Sequence, residues 1–87
     1  MTLLKPEHLR PFAEKWERPT GEVIAEVLHR AGLTGVRAAQ LTGVADDRSV
    51  RRWTGDERGI PYAAWALLCH AAGLGQIWLQ QQDAPRD

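Results

Sequence analysis

Residues 32–61 read GLTGVRAAQLTGVADDRSVRRWTGDERGIP, and this stretch decides the fold. It holds two short runs suited to helices, one between Thr34 and Gly43, the other starting at Asp46 or Asp47 and stopping before Gly55. Short oxygen-bearing side chains accept from the free N–H groups at a helix start, and glycine tolerates the left-handed turn that often ends one. Ala39 is small where two helices joined by a tight turn would cross. Gly43 turns the chain, Val44 anchors the turn, and Val50 and Trp53 fasten the second helix to a core.

The flanks continue the pattern. Before the quoted stretch, a helix follows Pro19 and the capping residue Thr20, placing Val23, Ile24, Val27, Leu28 and Ala31 on one stripe before Gly32. After it, a helix starts near Pro61 and runs through YAAWALLCHAA to Gly73, proline being favoured in a first turn. Leu9, Phe12 and Trp16 have helical spacing, but Pro11 interrupts them, which predicts a short helix or a kinked arm. Gln76 to Leu79 extend a helix or cross to a partner, and QQQDAPRD is a polar, frayed end. No segment alternates like a strand and no internal repeat is present. The expectation is an all-α, compact bundle of four to five helices containing a helix-turn-helix. Residues 1–19 form an arm or short helix, 20–75 the helix-turn-helix domain, and 76–87 an extension.

At 87 residues the chain has room for one domain with a small core, so a second copy could help to cover apolar surface. Apolar residues at 44% and charged residues at 25% suit a folded protein rather than a disordered one. Eleven basic residues balance eleven acidic ones, so charge placement rather than overall charge must carry any argument for nucleic acid. The lone Cys69 has no partner for an intramolecular disulfide, and the start MTLLKPEHLRPF lacks the apolar stretch of a signal peptide or membrane span. The expected location is cytoplasmic.

The stretch 32–61 resembles the helix-turn-helix of Cro-like (Xre-type) bacterial and phage repressors, and the surrounding helices fit a lambda-repressor-like fold. One departure is visible: five residues, Ala45 to Ser49, separate Val44 from Val50 where the family commonly has four. The turn or the helix start is therefore one residue longer. The run RSVRRWTGDERGIPYAAWALLCHAAGL is also similar to small phage and plasmid regulators, among them anti-CRISPR-associated repressors. What the resemblance implies is a sequence-specific DNA-binding repressor of its own small operon on a mobile element.

In that frame the second helix of the motif would enter the major groove. At about 100° per residue, with Val50 at zero, Trp53 falls near 300° and the outward direction near 150°. Arg48 falls near 160°, Arg52 near 200° and Arg51 near 100°, so three arginines face away from the core. Arginine donates two hydrogen bonds to guanine in the major groove, which makes Arg48 and Arg52 base-reading candidates, with Arg51 beside them. Thr34, Gly35, Arg37 and Ser49 suit phosphate contacts. The competing view is a solvated basic face partly neutralised by Asp46, Asp47, Asp56 and Glu57. Asp46 suits a helix cap better than a DNA contact.

The fourth helix is apolar around nearly its whole circumference, with Ala64, Leu67, Leu68 and Ala71 on one stripe and Tyr62, Trp65, Ala66 and Cys69 on another. One stripe packs on the core, and the other needs either the N-terminal arm or a second subunit. A homodimer joined through Tyr62, Trp65, Ala66, Cys69, Ile77 and Trp78 is the expectation, reading an inverted-repeat operator in double-stranded DNA. His8, His29, His70 and Cys69 show neither a nucleophile-base arrangement nor metal-ligand spacing, and no phosphate-binding glycine loop is present. The chain is read as a non-enzyme with no cofactor, metal, small-molecule ligand or membrane partner. The alternative function is a protein-interaction module or antitoxin-like adaptor using the apolar fourth helix.

Overall fold

The computed structural model describes residues 3–79, so the polar end at 80–87 lies outside the described residues. Among the described residues four α-helices follow one 3-10 turn: Pro6–Leu9, then α1 (Gly21–Ala31), α2 (Gly35–Thr42), α3 (Asp47–Thr54) and α4 (Tyr62–Ala71). Among the described residues there is no strand. The stops work largely as glycine chemistry requires, since Gly32 and Gly43 close α1 and α2 at φ 70° and 84°. At the end of α3 the left-handed position falls instead on Asp56 at φ 60°, one residue beyond Gly55.

The core gathers one stripe from each helix. Val23, Ile24, Val27 and Leu28 of α1 meet Ala38 and Ala39 of α2, Val50 and Trp53 of α3, and Ala64, Trp65, Leu68 and Cys69 of α4. Helices α1 and α2 each touch both α3 and α4. Ile60, in the α3–α4 loop, is fully buried and closes the core between them. Trp53 at 2% and Trp65 at 0% exposure supply much of the buried apolar area, and truncating a buried tryptophan typically costs about 3–5 kcal/mol.

The N-terminal arm settles how α4 is covered. The arm folds across α4, and the main-chain carbonyl of His8 accepts from two indoles, Trp65 Nε1 at 2.7 Å and Trp16 Nε1 at 3.0 Å. Tyr62 donates its hydroxyl to the Arg10 carbonyl at 3.0 Å, and the Trp16 and Tyr62 rings meet edge to face. Arg18 then reaches across with Nε donating to the Ile60 carbonyl at 3.2 Å. A buried indole N–H without an acceptor would cost about 1–3 kcal/mol, so the His8 carbonyl is what lets Trp65 sit inside.

Candidate nucleic-acid interface

Helix α3 starts where a carboxylate can hold it. Asp46 has extended backbone, and its Oδ1 accepts from the Arg48 N–H at 3.1 Å. Residues 43–46 connect α2 to α3, and Asp46 caps the latter. Val50 and Trp53, each 2% exposed, anchor the inner face. Arg48, Arg51 and Arg52 all lie exposed on the remaining surface. Arg51 is not free: its Nη1 pairs with Asp47 Oδ2 at 3.2 Å, one turn back along the helix.

The first turn of α2 lies against that of α3. Thr34 Oγ1 accepts from the Arg37 N–H at 3.1 Å and so caps α2. A side chain added at Gly35 would meet Asp47 Cβ at 3.3 Å, so the absence of one lets the two helix starts adjoin. Thr34 and Arg37 are exposed, while Gly35 and Ser49 are half-buried. The structure thus gathers Gly35, Asp47 and the arginine-bearing helix at one end of the motif, and leaves Thr34 and Arg37 open beside them.

The far end of α3 is held by contacts that the sequence reading missed. Thr20 stands at the start of α1 but makes no capping bond with its side chain. That work falls to Asp56, whose Oδ1 accepts from the Gly21 N–H at 2.7 Å. Gly21 is buried, and a side chain there would run into the Thr54 carbonyl. Helix α1 therefore begins directly on the end of α3. Glu57 and Arg58 also turn back, both donating main-chain N–H groups to the Arg52 carbonyl.

The residues expected to join two copies need correction. Trp65 and Cys69 are wholly buried within the chain and Ile77 is 5% exposed, so none of the three presents its side chain to a partner, whereas Ala66, also 5% exposed, reaches the surface only as part of a recess. The arm covers the Trp65 side of α4, and Ile77 turns inward rather than extending a helix. Burial also pushes the Cys69 thiol up to about 12. Tyr62 stays half-buried, while Leu67 and Trp78 remain 37% and 41% exposed. Tyr62, Ala63, Ala66, Leu67 and Trp78 line a shallow apolar recess of about 330 Å³.

Among the described residues no cluster of His, Cys, Asp and Glu is arranged to hold a metal ion, and no helix is long and apolar enough to cross a membrane. No family model matches the chain, and no solved structure matches it. Two curated relatives from Escherichia coli do, each named transcriptional repressor protein KorC. One is 56% identical over 80 residues, covering 90% of this chain and 93% of the relative. The other is 54% identical over 77 residues, covering 86% and 89%.

Proposed function

The chain belongs to the family of the KorC transcriptional repressors, and we propose that it represses transcription by placing α3 in the major groove of an operator. The observation that carries this reading is a short helix with Val50 and Trp53 locked into the core and Arg48, Arg51 and Arg52 exposed on its other faces. Arg48 and Arg52 read bases, Arg51 reads beside them, and Thr34, Gly35, Arg37 and Ser49 hold phosphates that set register. The motif is a helix-turn-helix of the Cro-like (Xre-type) kind, with a turn one residue longer than usual. No cofactor takes part.

A homodimer completes the reading. The exposed apolar surface around Leu67 and Trp78, with Tyr62 and Ala63 at its edge, is the contact between copies. A two-fold pair places its recognition helices about 34 Å apart, one DNA turn, and reads an inverted repeat. The site regulated is the protein's own promoter on a mobile element. The same recess supports a second reading, in which a different protein docks there, and salt separates the two. Each phosphate neutralised on duplex DNA contributes about 0.9 to the slope of log affinity against log salt, whereas an apolar protein contact responds little.

The test is binding to the DNA upstream of the gene and to scrambled DNA of equal length, across a salt series. Arg48→Ala and Arg52→Ala should each lose about 1–3 kcal/mol of discrimination, and Arg37→Ala should weaken both duplexes alike. Equal losses on both duplexes for all three variants would refute the assignment of roles.

A further inference from the structure

Taking α3 as the DNA-reading helix proposed above, we propose that Asp47 is a positioning residue that aims Arg51 at its base and disfavours binding to random sequence. The starting observation is an asymmetry. Among the described residues Arg51 is the α3 arginine held in an ion pair, whereas Arg48 and Arg52 carry none. The pair uses one Arg51 nitrogen, Nη1 against Asp47 Oδ2 at 3.2 Å. A guanidinium has five N–H donors, so four remain to meet a guanine edge. The Arg51 side chain is 67% exposed even while paired, which keeps it within reach of DNA.

Asp47 is itself well placed to aim another side chain. It occupies the first turn of α3, behind the Asp46 cap, and its Cβ lies against Gly35, where α2 presents no side chain. The Asp47 side chain, 36% exposed, leaves the backbone against Gly35 and its carboxylate holds Arg51 Nη1, so the pair restricts Arg51. To the extent that the pair holds Arg51 in the free protein, fewer of its rotamers remain to be ordered on binding.

The charge acts in the opposite sense on the wrong DNA. Sequence-independent binding rests on phosphates, and a carboxylate at the start of α3 repels them. On the right sequence that repulsion is offset by the base contact of Arg51, and on random sequence it is not. Specificity is a difference of affinities, so Asp47 raises it from both sides.

The experiment begins by selecting bound duplexes from a random-sequence library with the full chain. The preferred duplex, its single-base variants and a scrambled duplex are then titrated across a salt series with the parent, Asp47→Asn, Asp47→Glu, Arg51→Ala, Arg48→Ala and Arg52→Ala proteins. Thermal melting checks that each is folded. Arg51→Ala identifies the base pair that Arg51 reads. Asp47→Asn should lower discrimination at that same base pair by about 1.4- to 5-fold, the range for an exposed ion pair, while binding scrambled DNA as tightly or more tightly. Asp47→Glu should keep the discrimination, because glutamate four residues before arginine forms the same kind of pair.

A merely structural role would weaken all duplexes by one factor, and that result would overturn the proposal. So would an Asp47→Asn effect at a base pair other than the one Arg51→Ala relaxes, or no effect at all. If all three arginine variants bind every duplex as the parent does, α3 is not the reading helix and both readings fall. If the arginine variants relax selectivity and Asp47→Asn does not, the positioning role alone falls.

Discussion

Replacing Asp56 tests the idea that α1 is built on the end of α3. The carboxylate accepts from the Gly21 N–H at 2.7 Å, and Asp56 itself stands at φ 60°. Asp56→Ala removes the acceptor, which costs about 1–2 kcal/mol for a helix cap. It also puts alanine into a left-handed conformation, which costs roughly 1 kcal/mol more than for the aspartate it replaces. The sum is a loss of about 2–3 kcal/mol, or a fall in melting temperature of about 8–24 °C at 4–8 °C per kcal/mol for a domain of this size. Two further variants separate the terms. Asp56→Asn keeps an acceptor and tolerates the backbone, so it should lose only about 0.5 kcal/mol. Asp56→Gly relieves the backbone but lacks the acceptor, so it should fall between the two. Urea unfolding followed by tryptophan fluorescence and far-ultraviolet circular dichroism measures all three. An Asp56→Ala protein within about 0.5 kcal/mol of the parent, or an Asn variant as weak as the Ala one, would refute the reasoning.

Gly21→Ala should destabilise by about 1–3 kcal/mol, an overpacking cost, because the new methyl group meets the main chain at Thr54 rather than a movable side chain; the same unfolding assay reads it. Cys69, with its thiol raised to about 12 by burial, should resist alkylation by iodoacetamide in the native protein at pH 8 and react fully in urea. Labelling at the native rate of a free thiol would contradict its placement. His8 is held below its usual 6.5, first by burial and with Lys5 adding to it, against the opposing pull of Glu17 and Glu7. Its Nδ1 accepts from the Lys5 N–H at 3.1 Å, so the neutral ring is the one that fits. Because the unfolded chain binds this proton more readily, stability should hold above pH 6.5 and decline as pH falls below it towards the lowered folded value. Urea titrations at pH 7.5 and 5.5 should show that decline, and His8→Asn should flatten it.

Much of the architecture could be read from single residues. Thr34 and Asp46 do cap α2 and α3, and Pro61 does precede α4, because each acts on backbone groups within three residues of itself. Val50 and Trp53 were legible as anchors because a helix repeats its inner face at fixed spacing. The arginine face of α3 follows from the same arithmetic, although its partner does not. Three things were out of reach. Nothing local to Asp56 points at Gly21, 35 residues earlier, so Thr20 looked like the cap. The nearly all-apolar α4 offered two coverings, of which a second subunit was the expected one, and on the Trp65 side the choice fell to the arm because of a main-chain carbonyl, which no side-chain pattern encodes. The Asp47–Arg51 pair was hidden for a different reason: charges four residues apart are common on helices, and only the packing at Gly35 distinguishes this one.

The carbonyl at His8 also bears on how the chain can change over generations. Every amino acid carries that oxygen, so substitutions at position 8 leave the acceptor for Trp65 and Trp16 in place, whatever they do to the imidazole. The attachment is therefore tolerant of mutation at residue 8 and demanding at the two donors, Trp65 on α4 and Trp16 farther along the arm, where only an indole or a similar group reaches the oxygen. Variation should accumulate in the arm more freely than at the two tryptophans, and a homologue could rewrite most of residues 3–10 while keeping the same attachment.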